Sequence, residues 1–219
     1  DSSASNFNPF NTDINTVRGQ ETGYPTWNPL DKGSGVTLSD GNLNASVNGS
    51  TNSGVRGTTL LPKSGKYFFA IELSVIDDGA DTFAGLMYMR QADTVRDLTA
   101  GGTRLIVRYG SIINDSTSTA VTGFSAGDEL GVAVDCDRNI VQFYLNSVIL
   151  GSAQTPSVAI SEDWAPYCGT SSGTSVFVIN AGQKPFKFSP PDGFQPLNDA
   201  NIRPETVIAR PDQYVGVKT

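Results

Sequence analysis

The chain contains no histidine, and that absence limits what its other reactive residues could do. Ser-His-Asp and Cys-His nucleophilic systems are excluded, together with the commonest zinc ligand. Carboxylates, cysteines and arginine–aromatic recognition remain. Asp77, Asp78 and Asp81 stand close together and are of the type that holds Ca²⁺. Their spacing is not that of an EF-hand loop, so the plainer reading is a turn of solvated acids. Asp135 and Asp137 could form a carboxylate pair of the kind that hydrolyses glycosides. The local pattern reads instead as a hairpin turn, where Asp and Asn satisfy backbone N–H groups. Arg90, Arg96 and Arg104, with Tyr109 and Trp164, are residue types enriched among interface anchors. Ordinary loop exposure of the arginines and core packing of Trp164 are the competing reading. Gly101-Gly102 reads as a turn, since no helix carrying Gly-Lys-Ser/Thr follows it. Cys136 and Cys168 fall in or beside apolar strand patterns and read as small buried hydrophobes; a disulfide between them stays open. No catalytic residue, metal or cofactor is expected.

Composition narrows the partners. With 15 Lys+Arg against 22 Asp+Glu the formal charge is −7. A nucleic-acid binder needs a basic stripe to neutralise phosphates, and an anionic membrane surface makes a similar demand. Neither is expected. No apolar run approaches the ~18 residues of a membrane-spanning helix. The chain begins with Asp1 rather than Met, which reads as processing or as a piece of something longer, the second being preferred.

The elements that must position these residues are strands. The 219 residues are rich in Gly, Ser, Thr and Asn and only 17% charged, which favours turn-rich β structure over helix. Lys66 to Ile76 is the strongest β run, with Tyr67, Phe69, Ile71, Leu73 and Val75 on one face and Phe68, Ala70, Glu72, Ser74 and Ile76 on the other. Val36 to Val47 reads as a hairpin about a two-residue Asp40-Gly41 turn. Strands are also expected over 55–61, 83–89, 103–109, 128–135, 140–146, 148–151, 164–168 and 175–180. Residues 90–102 and 152–163 read as loops, and 110–126 as a loop with room for one short strand. About a dozen short strands at near-regular spacing make an antiparallel β-sandwich.

Five segments, in order, carry a resemblance. Ser64 to Glu72 (SGKYFFAIE), Gly127 to Asp137 (GDELGVAVDCD), Ile140 to Asn146 (IVQFYLN), Phe177 to Phe186 (FVINAGQKPF) and Pro190 to Leu197 (PPDGFQPL) resemble the successive strand motifs of SPRY domains. The resemblance covers about residues 27–197 and implies an all-β, two-sheet antiparallel sandwich of concanavalin-like jelly-roll type. Residues 1–26 would be an extended N-terminal arm and 198–219 a C-terminal arm or linker. It implies a non-enzymatic module binding through loops at one end, here 77–82, 90–102, 110–126 and 152–163. The candidate contact residues are Asp77, Asp78, Asp81, Arg90, Arg96, Tyr109 and Trp164.

Residues 7–24, 27–32, 36–43 and 198–214 also resemble the flanks of SPRY-like modules in bacteriophage tail fibres and other virion proteins. That implies a virion setting, contacts with other virion proteins or with a host surface glycan or protein, and a homo-oligomer within the particle.

Overall fold

The computed structural model describes residues 23–49, 53–77, 81–89 and 103–202. The chain builds two stacked antiparallel sheets. The seven-stranded sheet runs, edge to edge, β1 (Trp27–Lys32), β4 (Ser53–Gly57), β13 (Trp164–Thr170), β6 (Thr82–Tyr88), β7 (Arg104–Arg108), β8 (Ser111–Asn114) and β9 (Thr117–Ala120). The eight-stranded sheet runs β12 (Val148–Gln154), β11 (Ile140–Leu145), β10 (Glu129–Asp135), β5 (Lys66–Ile76), β14 (Thr174–Asn180), β3 (Asn44–Asn48) and β2 (Val36–Ser39). The short β15 (Gln195–Pro196) adds to β5 in parallel, and α1 (Asp199–Ile202) follows it.

Period-2 alternation explains the stacking. Phe69, Ile71 and Leu73 of β5, Leu130, Val132 and Val134 of β10 and Val141 and Phe143 of β11 all point between the sheets. They meet Trp27, Leu86, Leu105 and Trp164 of the opposite sheet, all fully buried. Each such side chain contributes about 1.5–3 kcal/mol by leaving water.

Several sequence expectations shift. Asp40-Gly41 does not close a two-residue turn: the last pair is Ser39↔Asn44, and Asp40, Gly41 and Asn42 all take positive φ (51°, 61° and 64°). Residues 110–126 hold two strands where a loop with room for one was expected: β8 and β9 extend a meander from β7. Their Ser/Thr-rich edge positions carry little apolar alternation to read. The strand expected over 55–61 is Ser53–Gly57, and those starting at 148 and 164 run on to Gln154 and Thr170. Val75 faces solvent rather than the core, while Ile76 packs inward. The register of β5 against β14 slips between Leu73↔Phe177 and Val75↔Val176, which adds a residue to β5 and inverts its faces beyond Leu73.

Candidate functional site

Antiparallel order brings the ends of β5, β7 and β13 and the starts of β4, β6 and β14 to one pole of the sandwich. There the Asp81 carboxylate accepts from Arg108 at 2.9 Å, and its carbonyl accepts the Ser171 N–H. Asp77 accepts the Thr174 N–H at 3.2 Å, capping the start of β14. The Arg108 guanidinium lies 5.5 Å from the Phe83 ring centroid. Tyr109, 52% exposed, stands edge-on to Phe124 at 5.9 Å. The fold therefore gathers Asp77, Asp81 and Tyr109 at one place. The acids there are engaged in capping and ion pairing, and among the described residues no group of three or more His, Cys, Asp or Glu is placed to hold a metal. Asp78, Arg90 and Arg96 lie outside the described residues.

Trp164 belongs elsewhere. It opens β13 at the opposite pole, is fully buried, and donates its indole N–H to the Ala159 carbonyl at 3.1 Å. It is core packing and offers no face to a partner. The four expected loops do not share an end either. Met89 N–H donates to Asp163 O, Tyr88 N–H to Thr103 O, and Ser157 to the Asp115 carboxylate. These bonds collect 89, 103, 115 and 157–163 at the Trp164 pole, away from Asp77 and Asp81. Asp135 and Asp137 cap the β10–β11 turn and the turn before β5, accepting from Arg138 N–H (3.0 Å) and Gly65 N–H (3.1 Å). Cys136 and Cys168 are buried and unpaired. Burial pushes the Cys136 thiol up to about 12, with Asp137 and Asp135 adding to it, and holds Cys168 well above its usual range.

A second surface was not foreseen from the sequence. On the outer face of the eight-stranded sheet, cross-strand pairs place Asn180, Ala70, Gly131, Tyr144 and Ile149 in one row. The small Ala70 and Gly131 leave a depression; a Cβ on Gly131 would come within 2.9 Å of the Phe68 ring. Residues 181–194 cross this face as a strap. Phe186 packs edge-on to Phe68 at 5.1 Å, and the Lys187 ammonium donates to the Gly127 carbonyl at 2.9 Å. Between strap and sheet a cleft of about 120 Å³ remains, walled by Phe68, Tyr144, Phe188 and Pro191, with Glu129 and Gly131 lining it and Ser147 and Ser189 as its exposed hydroxyls. A second hollow of about 160 Å³ shares Glu129 and adds Glu72, Lys184 and Lys187.

Glu129 is 6% exposed and pairs across strands with Glu72. Desolvation raises its pKa. The Lys187 charge and the Phe188 N–H oppose that rise, while the Glu72 carboxylate adds to it. The sequence held one signal of this surface: Phe68 and Ala70 are apolar on the face of their strand that also carries Glu72 and Ser74, and the small Gly131 and Ala133 alternate with Leu130, Val132 and Val134.

No family model matches the chain. Over 187 residues it is 29% identical to Ran-binding protein 9 of Danio rerio, a match that covers 78% of this chain and 30% of that protein. The chain thus spans under a third of that relative's length. The SPRY domain of human HERC1 superposes with a TM-score of 0.59 at 15% identity, over 73% of this chain and 99% of that domain. The TRIM65 PSpry domain superposes with a TM-score of 0.55 at 13% identity, over 72% and 89%. The two-sheet sandwich is therefore a SPRY, concanavalin-like fold.

Proposed function

We propose that this chain is a non-catalytic module that binds another protein, with the pole of Asp77, Asp81, Arg108 and Tyr109 as its contact surface. One observation carries the reading. Asp199 N–H donates to Gly23 O at 2.7 Å, beside the start of β5, so the first and last described stretches, Gly23 and the helix ending at Ile202, meet at one corner of the sandwich. Strand β5 separates that corner from the Asp77 pole by about 33 Å. The pole is thus the end of the sandwich remote from Gly23 and Ile202, and loops on such a scaffold are where recognition usually lives. An exposed tyrosine beside an arginine–aspartate pair has interface-anchor chemistry. The name of the Danio rerio relative points to a protein partner too.

The setting we propose is a bacteriophage virion, as a tail-fibre or other particle protein. The partner would be another virion protein or a host surface receptor, and the chain a homo-oligomer in the particle. Support for this is the resemblance of residues 7–24, 27–32, 36–43 and 198–214 to modules of such proteins. Cross-linking the chain within purified particles tests the setting, and Tyr109→Glu with Arg108→Ala tests the pole. Partner cross-links that disappear in the double variant, while its melting temperature holds, support the reading. Unchanged cross-links, or a turnover that persists through repurification, overturn it.

A further inference from the structure

We infer that the cleft on the outer face of the eight-stranded sheet is a site for one cationic head group, the guanidinium or ammonium of an Arg or Lys side chain presented by a protein partner. The proposal rests on the cleft and is independent of the loop pole. Size is the first argument. At about 120 Å³ the cleft lies well below the roughly 300–1,000 Å³ of sites that hold whole small molecules, so it suits a side-chain terminus. Its walls are the second. Phe68, Tyr144 and Phe188 contribute three aromatic rings, whose faces attract a cation within about 6 Å. The chain already uses one of them so: the Lys187 ammonium sits 5.7 Å from the Phe188 ring centroid.

Charge is the third argument. Glu129 lines the cleft, with Glu72 beside it across the sheet. The cations nearby are Lys187, which donates to a backbone carbonyl, and Lys184, which pairs with Asp40 at 3.6 Å. Two carboxylates thus face little more than one available ammonium. A bound cation would offset that excess and would return to the buried Glu129 some of the stabilisation its ionised form lost with water. An anion would meet both acids, and a neutral head group would relieve neither.

The test is an amide-resolved NMR titration of the full chain with four probes: the Nα-acetyl amides of arginine, lysine, norleucine and glutamate. The expected result is saturable shifts at Gly131, Ser147 and Phe188 with arginine and lysine, roughly ten-fold weaker or absent with norleucine and glutamate. Tyr144→Ala should weaken the cationic probes about ten-fold while leaving the remaining spectrum in place. Lys187→Met should tighten them by removing the resident competitor. Glu129→Gln should weaken the cationic probes while leaving norleucine unchanged, and undiminished binding of the cations would overturn the assignment; if that variant perturbs the fold, Tyr144→Ala decides, because Tyr144 is half-buried on the surface row. Equal response to norleucine and arginine, no response to arginine, or shifts confined to Asp81 and Tyr109 would each overturn the assignment. None of these outcomes bears on the cross-linking test of the pole.

Discussion

Arg56 grips Asp31 with both arms of its guanidinium: Nε donates to Oδ2 at 2.6 Å and Nη2 to Oδ1 at 2.9 Å. The pair ties edge strand β1 to β4, and the third nitrogen reaches the carbonyls of Tyr88 and Met89, both 3.3 Å away. Its side chains are only 9% and 20% exposed. Removing one partner strands a largely buried charge. Asp31→Ala should therefore cost roughly 3 kcal/mol in urea unfolding. The more exposed Asp81–Arg108 pair is the contrast, and Asp81→Ala should cost under about 1 kcal/mol. Equal losses would show that burial does not govern these pairs.

Glu129 gives a pH signature. Its pKa is raised in the folded chain, foremost by desolvation. Between the unfolded and folded pKa values the native state holds the extra proton. Its contribution to stability therefore grows as pH falls through that interval and is lost as pH rises. Other carboxylates titrate nearby, so the quantity to measure is the difference between wild type and Glu129→Gln. Unfolding free energies from pH 7 down to about pH 4.5 should show wild type gaining on the variant. A difference that does not change with pH, or a wild type that loses ground to the variant as pH falls, would contradict the burial argument.

The two thiols should be inert until the chain unfolds. With Cys136 near 12, roughly one molecule in ten thousand carries that thiolate at pH 8, and Cys168 is fully buried. Ellman's reagent should find almost no fast-reacting thiol in the native chain and both after denaturation. A rapid native equivalent would mean that one cysteine is exposed.

Asn146 and Ser147 both take positive φ, 49° and 66°, in the turn between β11 and β12. Asn146 is well suited there, because its side chain accepts the Glu129 N–H and donates to Asp128. Among the described residues no side-chain hydrogen bond compensates Ser147, which bears a Cβ in left-handed backbone. Ser147→Gly should raise stability by about 0.5–1 kcal/mol, read as a higher melting temperature. A lower melting temperature would show that the added unfolded-state entropy wins.

Local chemistry determined much of this protein in advance. Alternation in β5, β10 and β11 defined the inner faces up to Leu73, because neighbouring side chains in a strand must point opposite ways whatever the topology. Asp and Asn marked turns because their short side chains bond nearby backbone, and the lack of histidine closed off whole families of catalysis. Tertiary structure decided the remainder, since it depends on pairings between distant segments. A slip against β14 turned Val75 outward. Strand order puts Asp77 and Trp164 at opposite poles, although their residue types alone fit one contact surface. The cleft arose only when the strap carrying Phe186 and Phe188 folded back over Phe68 and Gly131, a meeting that no local pattern encodes because each side of it is an ordinary strand or loop alone.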